Sequence, residues 1–431
     1  MNPEQEVLLI KGGRVIDPVR QFDATADILL ARGRIQAVGD HLDVPSGCRV
    51  LDADGLVVAP GLVDMHVHLR EPGYEFKETI SSGTRTAAAG GVTSVAAMAN
   101  TQPVMDDPSV VGYILDKARA AGYANVFPIG ALTRGLQGKT LTEMGLLQKA
   151  GCVAFSDDGR PVMDSGVMRK ALDYSRAFNA LLIQHAEDLG LSAQGCMNEG
   201  VVASRLGLPG IPTESEEIIV DRDIRLVGLT GGRYHVAHIS TLGAVQAVAA
   251  ARARGLPVSC EATPHHFALT DVTVGDYDTD AKMSPPLRGE ADRQALKEGL
   301  AQGIITVIAS DHAPHDLDSK RVPFCQAANG VVGLETLLPV TLELVAEGVL
   351  TLSEALAALT CNPSRLLGID RGTLADGAPA DLVLFDASEA WTVDAARLHG
   401  MARNTCFHGR QVHGRVKYTI LAGRIVHRDG E

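Results

Sequence analysis

A chain of 431 residues with 45% hydrophobic and 21% charged side chains has the apolar content for a large core and too little charge for a disordered one. Its 39 Lys and Arg against 52 Asp and Glu leave a formal charge of −13, which disfavours a nucleic acid or an anionic membrane as partner. No apolar run approaches the roughly 20 residues of a spanning helix, and the start MNPEQEVLLIKGG has neither the basic nor the apolar region of a secretory signal, so a cytoplasmic globular protein is expected.

Residues 1–58 contain short apolar stretches broken by glycine turns (VLLIKGGRVID, ADILLARGRIQAVG, GLVVAP) and read as strands. From there the style changes. Short apolar runs at 62–69, 93–99, 125–132, 152–158, 180–187, 233–240, 258–266 and 305–313 are each followed by an Ala-rich, helix-compatible stretch. Strands alternating with helices in this way predict a parallel (β/α)8 barrel over residues 59–370. Residues 371–431 return to the first style (ADLVLFD, HGRVKYTILAG, RIVHRDG). Both ends are therefore expected to build one small β-sandwich, with two unrelated terminal hairpins as the alternative. The fold class is α/β. The seven cysteines lie far apart and form no CxxC, which argues against a disulfide framework and a thiolate zinc site.

Polar residues gather where the predicted strands end. His66 and His68 form an HxH pair whose imidazoles share one side of a strand. Asp157-Asp158, His185, His238 and Asp311 likewise follow apolar runs, where a polar group is costly unless it is paired or binds a cation. In a barrel these ends converge on one face. Four imidazoles and two carboxylates at one mouth suit two divalent ions, zinc first among them. Either Asp157 or Asp158 satisfies this pattern. His265 and His266 read as structural, His399, His408, His413 and His427 as surface residues, and Lys77 and Glu78 as the solvated start of a helix.

DMHVHLREPG at 64–73 and ASDHAPHDLDSK at 309–320 resemble the two signature motifs of the dihydroorotases, in the type I bacterial branch of the amidohydrolase superfamily. MANTQP at 98–103, AFSDDG at 154–159, QHAED at 184–188, VAHIS at 236–240, TPHH at 263–266 and KMSPPLR at 282–288 follow in the family's order. The resemblance implies a zinc-dependent enzyme of de novo pyrimidine (UMP) biosynthesis that reversibly cyclises N-carbamoyl-L-aspartate to L-dihydroorotate and water. It implies two Zn2+ per subunit, with His66, His68 and Asp311 on one ion, His185 and His238 on the other, and Asp158 bridging. The same resemblance makes a hydroxide the nucleophile and Asp311 the general acid/base, with cyclisation favoured by acid and hydrolysis by base. For the substrate carboxylate and ring it implies Arg70, Asn100, His315, Asn329 and Gly330, and also Ser284, where the family's asparagine is replaced. The family's aromatic is missing at Ala328-Asn329-Gly330, and residues 316–330 are expected to form a mobile loop. Related hydantoinases and allantoinases bridge their metals with a carbamylated lysine at the end of strand four, whereas here the nearest lysine, Lys149, precedes that strand. The implied partners are a small-molecule substrate, a second copy of the chain and an aspartate transcarbamoylase. The competing functions are another cyclic amidase and an inactive dihydroorotase-like subunit of a transcarbamoylase.

Overall fold

The computed structural model describes residues 7–45 and 47–430. Met1–Glu6, Ser46 and Glu431, which belong to the expected terminal segments, lie outside the described residues. The barrel is built from β1 (Leu62–Val67), β2 (Val92–Ala97), β3 (Asn125–Gly130), β4 (Ala154–Ser156), β5 (Leu181–Gln184), β6 (Arg233–Val236), β7 (Val258–Ala262) and β8 (Val307–Ile308). Each strand pairs in parallel with its sequence neighbour. Closure between first and last rests on a bridge from Val67 to His312 and a 2.9 Å bond from the His68 N–H to the His312 carbonyl.

Every residue of β1, β2, β4 and β5 is buried, as expected for parallel strands covered on both faces. Alternate residues enter different cores. Ala96, Ala154, Ile183 and Val307 share one cluster, whereas Val95, Phe155, Leu182 and Ile308 join the larger cluster that includes the helices. Each predicted strand overlaps an observed one, but most stop two or three residues early. Apart from His66, which lies within β1, the metal-ligand candidates of the mouth thus fall just past the regular ladder. At β7 the chain turns instead into a short helix, Pro264–Ala268, which carries His265 and His266 inward.

The two ends of the chain form one eight-stranded sheet, so the unrelated-hairpin alternative falls. Val57–Pro60 pairs antiparallel with Leu382–Phe385, which joins the N-terminal strands to the C-terminal ones. Leu8, Ile10, Val58, Leu382, Leu384 and Ile420 make a core of their own on one face. Their neighbours Val57, Ala59, Val383 and Phe385 pack into the barrel's core from the other face. This strict alternation fixes the sheet against the barrel, because a one-residue slip would exchange the two faces.

Candidate metal centre

Four imidazoles and two carboxylates meet above the barrel core. Asp158 lies at their centre, with its oxygens 3.5 Å from His66 Nε2, 3.4 Å from His68 Nε2, 3.8 Å from His185 Nδ1 and 3.5 Å from His238 Nε2. Asp311 Oδ1 is 3.2 Å from His68 Nε2 and 3.5 Å from His66 Nε2. Two groups of donor atoms suited to a metal result: His66, His68 and Asp158, and Asp158, His185 and His238, so Asp158 is common to both. The neighbouring Asp157 faces away and accepts from the backbone N–H groups of Leu132 (2.8 Å) and Thr133 (2.9 Å) and from the Thr133 hydroxyl. The alternation of a strand thus continues through its last residues, and it separates the two aspartates.

Each imidazole except His238 is held from behind, which leaves its other nitrogen bare toward the centre. His66 Nδ1 donates to Glu261 Oε1 at 2.6 Å, His68 Nδ1 to Asn100 Oδ1 at 2.9 Å, and His185 Nε2 to Glu187 Oε2 at 2.9 Å. His185 Nδ1 and His238 Nε2 then face each other at 2.9 Å, an approach of lone pairs that needs a cation or proton between them. His66 Nε2 and Asp158 Oδ1 are buried and have no hydrogen-bond partner. Buried polar atoms are rarely left this way, so the donor set fits a metal. Burial opposes an ionised Asp158, yet the imidazoles gathered around it, His66 above all, hold its carboxyl well below the usual range. Asp311 is held low against burial in the same way by His66 and His68. Both are carboxylates at neutral pH, and negative charge accumulates where the bare nitrogens converge. Three of the surrounding residues, Arg70, His238 and Asp311, have left-handed backbone (φ 64°, 31° and 47°), a strained conformation common where side chains are aimed at a site.

All the expected site residues except His66, which is fully buried beneath, line one cavity of about 380 Å³. Its second wall is cationic. Arg70 Nε donates to the Pro314 carbonyl at 3.1 Å, and burial lowers its pKa only to about 10, so it stays charged. His315 Nε2 lies 2.8 Å from the Asn329 carbonyl and Nδ1 lies 3.2 Å from Lys77 Nζ. A carbonyl requires an N–H and an ammonium requires a lone pair, and these two contacts are shorter than the 3.4 Å from an Arg70 guanidinium nitrogen to Nε2, so His315 is assigned as the neutral tautomer protonated at Nε2. Burial, then Arg70 and Lys77, push its pKa down to about 2.

Several expectations change here. Asn100 lines the cavity, but its carbonyl oxygen is engaged by His68. Gly330 lines the cavity as expected; its N–H donates to the Lys282 carbonyl and its carbonyl accepts one bond from Asn404, which leaves that oxygen a second lone pair. A glycine is also required there on steric grounds: at φ 118° a Cβ would sit 2.6 Å from that of Ala313. The 316–330 segment is not a loose loop. Lys320 Nζ donates to the carbonyls of Thr279 and Ala328, and Lys282 Nζ to those of Cys325 and Ala327. Glu78, expected to be solvated, is fully buried against Ser82 with His312 3.7 Å away. Glu261 and Glu187, which hold His66 and His185, are not among the residues expected from sequence. The available signals were a carboxylate inside the apolar run VSCEA and one two residues after His185.

Family models match in two parts, "Dihydro-orotase-like" over residues 55–244 and "Amidohydrolase family" over residues 226–427. A curated dihydroorotase of Geobacter sp. (strain M21) is 51% identical over 98% of this chain and 100% of its own length. One of Anaeromyxobacter sp. (strain K) is 53% identical over 99% of each. Among solved structures, an L-hydantoinase (dihydropyrimidinase) from Arthrobacter aurescens superposes with TM-score 0.88 at 25% identity, covering 98% of this chain and 96% of its own. A dihydropyrimidinase from Brevibacillus agri NCHU1002 does so with TM-score 0.86 at 24% identity, covering 99% and 96%, which speaks to the fold alone.

Proposed function

The chain belongs to the dihydroorotase family of metal-dependent cyclic amide hydrolases, and from that premise we propose that its mouth interconverts N-carbamoyl-L-aspartate and L-dihydroorotate with two zinc ions in place. The observation that carries this reading is the position of Asp158, shared by two histidine-containing groups, with its Oδ1 and His66 Nε2 left without partners. His66 and His68 would hold one ion with Asp311, His185 and His238 the other, and Asp158 both. When bound, such a pair of cations polarises the reacting carbonyl and lowers the pKa of water toward neutrality.

The chain's own residues do the rest. Asp311, an ionised carboxylate beside His68, accepts the proton released by the attacking water and delivers it to the ring nitrogen that departs. In the synthetic direction the ureido nitrogen attacks the carboxylate carbon, its proton passes through Asp311 to the carboxylate oxygen that departs, and one further proton from solvent completes the released water; this net proton uptake means that acid favours cyclisation and base favours hydrolysis. Arg70 takes the carboxylate that the ring retains, a planar fork that lysine does not reproduce. The His315 Nε2–H is spent on Asn329, so His315 shapes this subsite and fixes the 329–330 backbone beside the cavity. Ser284 lines the same wall.

Elemental analysis of protein purified without added metal, together with assays on dihydroorotate, hydantoin and allantoin, tests the reading. Two zinc ions per chain and turnover confined to dihydroorotate are expected. Preference for hydantoin or allantoin would transfer the chain to another cyclic amidase activity, and a loaded but inert protein would make it a non-catalytic subunit.

A further inference from the structure

The cationic wall is larger than one arginine. Beside the metal cavity lies an annex of about 280 Å³ bordered by the cationic side chains of Arg70, Lys77 and Arg160, with Tyr74, Asn100 and, at the edge it shares with the metal cavity, Asp158 and Gly159. Lys77 is brought there by the fold of its own segment: the Tyr74 N–H donates to the Arg70 carbonyl at 3.1 Å and the Lys77 N–H to the Tyr74 carbonyl at 2.9 Å. Its ammonium group is half-buried, 3.2 Å from His315 Nδ1 and 5.9 Å and 5.7 Å from the ring centroids of Tyr74 and Phe76. Among the described residues neither Lys77 nor Arg70 makes a direct ion pair; the acidic groups that act on them do so from farther off, Asp311 and Asp158 on Arg70 and Asp316 on Lys77. Burial lowers the pKa of Lys77 and repulsion from Arg70 lowers it further, against a partial offset from Asp316. Such a pair makes sense as a receptor for an anion that arrives with the substrate.

We propose that Lys77 is a specificity-determining residue of this reaction: it holds His315 in its neutral tautomer and, with Arg70, makes the annex the subsite for the carboxylate that survives ring closure. The inference deepens the dihydroorotase reading and rests on it. A neutral cyclic amide would offer the two cations no carboxylate to pair with directly, which penalises its binding relative to dihydroorotate. The open-chain substrate carries two carboxylates, one reacting at the metals and one spectator. Lys77 therefore serves ring opening and ring closure alike, and acts on binding rather than on the chemical step.

The test uses the full-length, metal-loaded enzyme and the variants Lys77→Met, Lys77→Gln and Lys77→Arg, with KM and kcat measured in both directions. Glutamine can still donate to His315 but carries no charge, so it isolates the field from the hydrogen bond. Loss of one charge-assisted contact predicts a KM for dihydroorotate and for carbamoyl aspartate raised about tenfold in K77M and K77Q, with kcat within about twofold and KM largely restored in K77R. Zinc content and melting temperature are expected to match the unsubstituted enzyme. Unchanged KM in a folded, loaded K77M or K77Q overturns the proposal, as does a fall in kcat at constant KM. Should K77M fail to fold, K77Q carries the same reading; failure of all three variants would mark Lys77 as structural and also overturn it. Absence of dihydroorotate turnover in the unsubstituted enzyme sinks the parent reading, whereas turnover with indifferent variants sinks the Lys77 assignment alone.

Discussion

Among the described residues, two of the cavities are lined by several histidines together with acidic residues, and of these two only one has the character of a reaction centre. The larger, about 960 Å³, lies where the terminal sheet meets the barrel and is bordered by His399, His408 and His427 with Glu335, Asp394 and Asp429. The smaller, about 380 Å³, is the barrel mouth. In the larger cavity the carboxylates already have partners. Glu335 is 2.8 Å from His399 Nδ1, Asp429 accepts from Arg415 and Lys417, Glu389 from Lys417, and Asp394 caps a short turn. At the mouth, buried atoms of His66 and Asp158 have none. Neither volume nor a count of histidines identifies the site; an unsatisfied, converging donor set does.

The comparison is broken most sharply at Asp311. Asp311→Asn keeps the shape of the side chain and removes the proton acceptor, so hydrolysis is expected to fall by a factor of about 10² to 10⁴ with little change in unfolding temperature. Near-normal turnover would strip Asp311 of its role. One layer back, Glu261→Gln weakens the hold on His66 and is expected to reduce metal affinity or activity by about 10- to 100-fold. Metal retained against a graded series of chelator concentrations measures this directly. Retention equal to that of the unsubstituted protein would show that His66 needs no orienting partner.

The mouth was legible in the sequence because each of its residues ends an apolar run, and a barrel brings such ends together. Its supports were not. Glu261 reaches His66 across 195 positions, and nothing local in VSCEA announces that partner. Lysines read as solvent-facing residues, yet Lys282 and Lys320 are buried and spend their ammonium groups on carbonyls of the 316–330 segment. That segment therefore looked loose and is tied down. Asp157 and Asp158 were equivalent as letters and became distinct once the Thr133 backbone was seen to claim the first. His399 and His427, expected at the surface, are half-buried against each other, and burial followed by His399 lowers the pKa of His427 to about 4.

The smallest effect is expected on the flank, and it sharpens the contrast from the other side. Burial opposes ionisation of Asp429, but hydrogen bonds from Arg415 and Lys417 outweigh it and bring the carboxyl down to about 2. A depressed folded-state pKa contributes stability above the unfolded value near 4 and loses that contribution as pH falls toward 2. The group is only partly buried, so solvent screening limits the contribution to about 1 kcal/mol or less. Asp429→Asn is therefore expected to lower unfolding stability by that amount at pH 7, to differ progressively less from the unsubstituted protein as pH drops below 4, and to leave dihydroorotate turnover unchanged. Urea unfolding at pH 7 and pH 3, alongside the assay, reads both. A loss of turnover without a matching loss of stability would mean that the flank cavity, despite its satisfied carboxylates, communicates with the mouth, and satisfaction of buried groups would then be the wrong criterion for separating the two.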